Sequence, residues 1–237
     1  MIKVLLLFTI FLSFNACADL DEDTFGKVLE TFPAPAEYCY GLASDGTYLY
    51  TATSNLQTTN IVYQIDPKTG NELNSFPAPG DIPDAMTFDG TNLRILSYDS
   101  TNKNYRLYTI TTTGSILGSV VLPVERPGGI TFQDDEILIS DYNTNKIYRF
   151  DQSLNAIETI PSIGTPYAIA MGNNYLWTYT SDGIWAVDLN GNFYIDKYNI
   201  ADLQWKSLSD LSFHDNHLWA LGDNFSRTLT IFKISLE

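Results

Sequence analysis

The chain contains only two histidines among its 237 residues, and both belong to one short segment, His214-Asp215-Asn216-His217. The segment is typical of a tight turn, so the pair is interpreted as surface turn residues. A structural zinc site needs four ligands, which this segment does not supply. The shortage also argues against catalysis by a histidine general base, including a Ser-His-Asp triad. No metal is expected.

Cysteine is equally scarce, with Cys17 and Cys39 as the whole complement. Two cysteines cannot form a disulfide framework in a chain of this length. Cys39 is interpreted as a small buried hydrophobic residue. A catalytic cysteine would need a histidine beside it, and the sequence places none there.

Basic residues are few: 13 Lys and Arg face 28 Asp and Glu, for a net charge of −15. Such a surface repels nucleic acid, whose binding depends on neutralising phosphates, and it disfavours anionic lipid headgroups. A cationic ligand, Ca²⁺ or simple solubility is compatible with this charge. The sequence therefore predicts no nucleic-acid partner, no required cofactor (calcium being the ion that the charge allows), and membrane contact only through a lipid anchor.

Residues 1–17 have the pattern of a signal peptide, in which a basic start precedes an apolar run at residues 4–14 that is too short to span a bilayer. Residues 16–18 (Ala-Cys-Ala) fit peptidase cleavage before Asp19. Residues 14–17 (Phe-Asn-Ala-Cys) instead resemble a bacterial lipobox, with Cys17 lipidated and followed by a tether at residues 18–25. The lipoprotein, anchored in the bacterial cell envelope, is favoured. A periplasmic or secreted protein is the alternative.

A ten-residue segment recurs five times along the remaining chain at a spacing of about 40 residues. Its copies begin at Gly41, Ala85, Gly129, Ala168 and Asp210. Each copy contains two short strands around a turn, such as Asp45-Gly46, and is followed by a polar loop and a further strand with period-two alternation. A repeat of this length with four short strands is typical of a β-propeller blade.

The last repeat ends before its fourth strand, and a matching segment stands at the other end of the domain. Residues 26–35 (GKVLETFPAP) closely match residues 70–79 (GNELNSFPAP). We therefore expect the strand at residues 27–32 to complete the last blade and close the ring. The prediction is an all-β fold: a single five-bladed β-propeller of four-stranded antiparallel blades over residues 26–237, functioning as a monomer.

The repeat phrases Asp45-Gly46-Thr47-Tyr48-Leu49, Ile65-Asp66-Pro67-Lys68-Thr69-Gly70 and Ser75-Phe76-Pro77-Ala78-Pro79 resemble those of secreted bacterial propellers related to glutamine cyclotransferases. They also resemble the broader NHL-type and quinoprotein-dehydrogenase-like propellers. The resemblance spans nearly all of the mature chain. It implies the fold and not an activity, because the matching residues are turn and core residues.

Glutamine cyclotransferases carry a Phe-Thr-Gln-Gly-Leu segment at the start of an early repeat. The corresponding residues here are Tyr38-Cys39-Tyr40-Gly41-Leu42, so Tyr40 replaces the glutamine. If the resemblance extended to activity, Asp84 or Glu37 would act as acid or base, and Tyr40 or Tyr167 would bind the substrate.

Candidate ligand-binding residues follow from the propeller geometry, because the loops joining strand four to strand one and strand two to strand three open on one face, here called the mouth. The positions just before each repeat should lie nearest the axis: Tyr40, Asp84, Gly128, Tyr167 and Ser209. Asp99, Asp141, Asp182 and Asp223 are expected on neighbouring loops, where the alternative is that they cap turns. Trp205 is either a packing plug or an aromatic that stacks on a ligand.

Three hypotheses follow. The first is a non-catalytic module of the cell envelope, a scaffold whose mouth binds an envelope protein, a peptide or a small ligand. The net charge is compatible with a cationic ligand. The second is an envelope enzyme related to glutaminyl-peptide cyclotransferases, acting at the mouth. The third is a purely structural ring. An axial pocket lined by carboxylates with raised pKa would favour the enzyme, and a flat, filled mouth would favour the scaffold.

Overall fold

A computed structural model describes residues 26–189, 193–198, 205–224 and 229–236 of the protein. The predicted leader (residues 1–17), the tether (18–25) and the lipidation site Cys17 lie outside these ranges and stay predictions. Within the described ranges, no helix is long and apolar enough to cross a bilayer.

The described chain forms twenty β-strands, arranged as five four-stranded antiparallel sheets. Blade 1 consists of β2 (Cys39–Ser44), β3 (Leu49–Thr53), β4 (Ile61–Ile65) and β5 (Glu72–Pro77). Blade 2 consists of β6 (Ile82–Phe88), β7 (Leu93–Asp99), β8 (Asn104–Ile110) and β9 (Ile116–Val121). Blade 3 consists of β10 (Pro127–Gln133), β11 (Glu136–Asp141), β12 (Lys146–Phe150) and β13 (Ala156–Pro161).

Blade 4 consists of β14 (Ala168–Gly172), β15 (Tyr175–Thr180), β16 (Gly183–Val187) and β17 (Phe193–Tyr198). Blade 5 contains β18 (Trp205–His214), β19 (His217–Asn224) and β20 (Leu229–Ile234), and its fourth strand is β1 (Val28–Pro33). The five-bladed propeller predicted from the repeat is therefore confirmed.

The N-terminal strand closes the ring as predicted. β1 pairs antiparallel with β20, placing Phe32 opposite Ile231 and Thr31 opposite Phe232. Beyond the strand, the Gly26 amide donates to the Ser235 carbonyl at 2.8 Å. Opening the ring would break this ladder, so the two ends of the domain hold each other in place.

The core lies between the blades, because each sheet packs one face against the next. Trp177 is buried among residues of blades 4 and 5, and Trp219 among residues of blades 5 and 1. Cys39 is fully buried in the second of these clusters, and its thiol donates to the Ala36 carbonyl at 3.2 Å. Burial raises the pKa of this thiol. The interpretation of Cys39 as a small buried residue is confirmed.

The first strand of each blade lies innermost, and these strands pack side by side around the axis. At two positions their approach requires glycine. A Cβ on Gly129 would lie 2.7 Å from the Ile169 amide nitrogen, and one on Gly128 would lie 2.7 Å from the Pro166 carbonyl oxygen. Both contacts are with backbone atoms that cannot rotate away. The Gly128-Gly129 pair therefore lets β10 and β14 approach each other beneath the mouth.

Candidate ligand-binding site at the mouth of the propeller

A cavity of about 640 Å³ opens at the mouth, and all five blades contribute to its lining. This volume lies in the range typical of small-ligand sites. The five positions predicted to lie nearest the axis all line it: Tyr40, Asp84, Gly128, Tyr167 and Ser209. They converge because each lies at, or just before, the start of the repeat segment in the innermost strand of its blade.

The cavity is also lined by three tyrosines that were not predicted from the sequence: Tyr105, Tyr142 and Tyr179. Tyr179 occupies the position that Ala52 holds in blade 1, because each lies 11 residues after the start of its repeat, Ala168 or Gly41. A tyrosine where the first repeat has alanine was a detectable signal. Tyr105, at the start of β8, and Tyr142, just after β11, were not detectable in this way, because the lengths of the loops between strands two and three differ among the blades.

Tyrosine rings form a continuous wall along one side of the cavity. The ring centroids of Tyr142 and Tyr167 are 6.2 Å apart, and those of Tyr167 and Tyr179 are 5.9 Å apart. Tyr167 is 40% exposed and Tyr179 only 6%, so the wall runs from the rim to the floor. Rings already packed together lose little freedom when a ligand stacks on them.

Asp84 is the single carboxylate among the described residues that line the cavity. Burial raises its pKa to about 6, and the hydrogen bond that the Tyr105 hydroxyl donates partly opposes this shift. The pKa of Tyr105 is itself raised, first by burial and then by the Asp84 charge, so Tyr105 stays protonated and remains the donor. A half-buried carboxylate facing a cavity, with one phenol as partner, retains acceptor capacity for a ligand.

A second carboxylate, Asp210, lies on the axis below the cavity and is fully buried. Its Oδ2 accepts from the amides of Leu42 (2.8 Å) and Met86 (3.2 Å), and its Oδ1 from the Leu211 amide (2.9 Å). Burial raises its pKa to about 8, against the opposing effect of these donors. Asp210 thereby joins blade 5 to blades 1 and 2, and fixes β6 two residues from Asp84.

Four other predicted carboxylates are not among the described lining residues: Asp99, Asp141, Asp182 and Asp223. Asp99 accepts from the amides of Thr101 and Asn102, at 3.0 and 2.8 Å. Asp141 accepts from the Asn143 amide at 2.8 Å. These two side chains cap their own loops, as the alternative interpretation expected. Ligand binding by any of the four stays a prediction.

Trp205 begins β18, opposite Asn224, but its side chain falls outside the described part of the structure, so both interpretations of it stay open. Glu37 is exposed and does not line the mouth cavity as described. Within the described ranges, no three His, Cys, Asp or Glu side chains lie close enough together to hold a metal ion.

Both histidines lie on the face opposite the mouth. The expectation of two surface turn residues is wrong for His214, which is buried at the end of β18, whereas His217 is partly exposed. His214 Nδ1 lies 2.7 Å from the Ser44 hydroxyl, at the far end of the innermost strands from Tyr40 and Asp84. Burial lowers the pKa of His214, so the ring is neutral near pH 7. The cavity on this face is only about 100 Å³, too small for more than a few waters.

The chain matches no protein-family model and no curated protein sequence. Its structure is similar to that of the glutaminyl cyclase from Myxococcus xanthus, with a TM-score of 0.70 over 90% of this chain and 96% of that one, at 11% identity. A chain of a nidogen–laminin complex aligns with a TM-score of 0.56 over 80% and 73% of the two chains, at 11% identity. The Pan2 WD40 domain of Neurospora crassa aligns at 0.50 over 86% and 64%, at 12% identity.

These likenesses establish the fold. The chain is a β-propeller with the architecture seen in glutaminyl cyclase, and the predicted resemblance to that group of propellers is confirmed at the level of structure. At 11% identity the likeness does not extend to chemistry, since one propeller frame supports many unrelated functions.

Proposed function

We propose that the protein is a binding module whose mouth holds a ligand bearing a positively charged amino group. The observation that carries the proposal is the position of Asp84: it is the single carboxylate among the described lining residues of a cavity lined by five tyrosines. A half-buried carboxylate in a cavity gains most from a partner that is charged and donates hydrogen bonds. An ammonium group meets both requirements.

The tyrosines favour the same class of ligand. An ammonium ion beside an aromatic face is attracted to the ring quadrupole, and the effect grows when water is excluded. Tyr167 and Tyr40 are each 40% exposed at the rim, where a ligand would first meet them. The net charge of −15 adds a long-range attraction for cations. The geometry, the local charge and the overall charge therefore agree.

Calorimetry with two tripeptides tests the proposal, one with a free amino terminus and one acetylated there. We expect the free amine to bind at least about tenfold more tightly, because acetylation removes the charge that Asp84 accepts. In an Asp84→Asn protein this preference should disappear. Asp99→Asn is the matched control, since it removes an equal charge from a side chain on the same face that does not line the mouth cavity. Equal binding of both tripeptides by the unmodified protein would exclude the proposed function.

A second candidate function, an enzyme related to glutaminyl cyclases, is favoured by the raised pKa of Asp84. A value of about 6 lies near the operating pH that suits a general acid or base. A peptide with N-terminal glutamine would be incubated with the protein while ammonia release is followed. If ammonia release persists in Asp99→Asn and is lost in Asp84→Asn, the enzyme function is favoured over the binding function.

The proposed site of action is the bacterial cell envelope, with Cys17 as a lipid anchor and the mouth facing a soluble ligand or envelope protein. The support is the pattern of residues 1–18, together with a net charge of −15, which disfavours binding of the domain itself to anionic lipid. Mass spectrometry of the mature protein from membranes should show a diacylglyceryl group on Cys17. A free Asp19 terminus would instead identify a periplasmic or secreted protein.

A further inference from the structure

A second cavity, of about 880 Å³, lies beside the mouth between the loops of blades 2 and 3, and is here called the lateral cavity. Asp84 and Tyr105 line both the lateral cavity and the mouth cavity. The same pair therefore borders both cavities. A ligand held by Asp84 at the mouth lies next to the lateral cavity.

The lateral cavity carries two cationic side chains, Lys103 and Arg126, in a chain that has few cations. Among the described residues, the ion pairs involve other basic side chains, and neither of these two takes part in one. Arg126 Nη1 lies 3.5 Å from the hydroxyl of Tyr142, which lines the mouth. This contact holds the guanidinium at the boundary between the cavities, with donors left for another partner.

Asn104 supplies a further polar group without a partner. Its side-chain Oδ1 is buried and accepts no hydrogen bond, although Asn104 lines the lateral cavity. A buried acceptor without a donor is costly, so the wall of the lateral cavity contains a polar atom that the fold leaves unsatisfied. The preceding residue, Lys103, adopts a left-handed φ of 58° at a turn position that blade 3 fills with Asn145. Lysine tolerates this conformation less well than asparagine, which favours a role for its charge.

We propose that the lateral cavity binds the carboxylate of the same ligand whose amino group Asp84 accepts, so that the complete site recognises a short zwitterionic peptide. The inference rests on the proposed function of the mouth. Arg126 offers the planar donor pair that matches a carboxylate, and Lys103 adds a second charge. Glu125 also lines the cavity, which favours a singly charged carboxylate over a doubly charged phosphate.

The test uses four forms of one tripeptide, with the amino terminus free or acetylated and the carboxyl terminus free or amidated. A fifth peptide, amidated but ending in glutamate, separates a terminal carboxylate from an acidic side chain. Calorimetry would be run on the unmodified protein, Arg126→Gln, Lys103→Gln and the control Lys68→Gln. Lys68 is an exposed lysine in the β4–β5 turn on the opposite face, so its substitution changes the net charge equally without touching either cavity.

Amidation should weaken binding to the unmodified protein and to Lys68→Gln by about tenfold, and should have little effect in Arg126→Gln. Lys103→Gln should show an intermediate loss. Rescue by the glutamate peptide would assign an acidic side chain as the carboxylate source, and failure of rescue would assign the chain terminus.

The outcomes separate the inference from the function on which it rests. If acetylation weakens binding and amidation does not, the mouth proposal stands and the lateral carboxylate site is excluded. If amidation matters and acetylation does not, the lateral site stands and the amine assignment fails. If none of the peptides binds, both are excluded.

Discussion

The two faces of the propeller are built from the same repeat, yet they use their carboxylates differently. On the face opposite the mouth, Asp45 accepts from the amides of Thr47 and Tyr48, at 2.8 and 2.7 Å. Asp66, Asp89 and Asp151 accept backbone amides in their own turns in the same way. On the mouth face, Asp99 and Asp141 also cap their own loops, but Asp84 accepts from the Tyr105 side chain and lines a cavity.

The difference separates the positions that the propeller fold requires in every blade from the positions that can vary between blades. The turn carboxylates recur because every blade must reverse its chain, so they carry folding information. The mouth positions do not recur: Tyr40, Asp84, Gly128, Tyr167 and Ser209 are five positions with four residue types. A side chain that the turn does not require is available for a ligand. The predictions below test this division, in order of expected effect.

The largest effect is expected on the axis between the faces, where Asp210 holds three backbone amides. Asp210→Ala leaves the buried amides of Leu42 and Met86 without an acceptor. We expect the free energy of unfolding to fall by about 3 kcal/mol or more. Urea unfolding followed by circular dichroism measures the change. An unchanged urea midpoint would show that Asp210 does not join the blades.

Asp210→Asn keeps an acceptor without an ionisable group, and it isolates the pH dependence. In the folded protein the pKa of Asp210 is about 8, above its ordinary value. The contribution of Asp210 to the free energy of unfolding is therefore full below about pH 4 and is lost as the pH rises through 8. The unmodified protein should therefore lose stability relative to Asp210→Asn between pH 5 and pH 9. Parallel stability curves would contradict the raised pKa.

The next effect is the pH dependence of ligand binding at the mouth. A cationic ligand binds the ionised form of Asp84, whose pKa is about 6 in the free protein. Affinity for the free-amine tripeptide should fall by about tenfold from pH 7 to pH 5. In Asp84→Asn the affinity should be lower and flat across this range. A flat profile in the unmodified protein would indicate that the amine binds elsewhere.

A smaller effect, on stability alone, is expected on the opposite face. Asp45→Ala removes the acceptor for two turn amides and for the Tyr50 hydroxyl, which donates to Asp45 at 2.8 Å. We expect a loss of about 1 kcal/mol in the free energy of unfolding, with unchanged affinity for the tripeptide. Weaker binding in this variant would contradict the division between the faces.

The repeat allowed the fold to be predicted in detail, including the donation of β1 to blade 5, because turn chemistry and strand alternation are local signals. The axial positions followed from the same periodicity. Asp210 was not recognised as a joint between blades, although it occupies a repeat start where the other copies have glycine or alanine. Its partners, Leu42 and Met86, lie far away in the chain, so no local pattern could reveal them.

The smallest effect is expected on the outer rim, the surface formed by the fourth strand of each blade, which belongs to neither face. All six residues of β9 are exposed, and this outer strand (ILGSVV) has no charged residue, whereas β5, β13 and β1 each carry a glutamate. An uncharged apolar edge can pair with another chain. Val120→Lys should change the free energy of unfolding by less than about 0.5 kcal/mol while reducing self-association at high concentration. Val120→Thr, which adds a hydroxyl but no charge, is the control in light scattering. If both variants associate like the unmodified protein, the β9 edge is not the surface through which copies of the chain associate. The outer rim would then have no role in binding, like the turns of the opposite face.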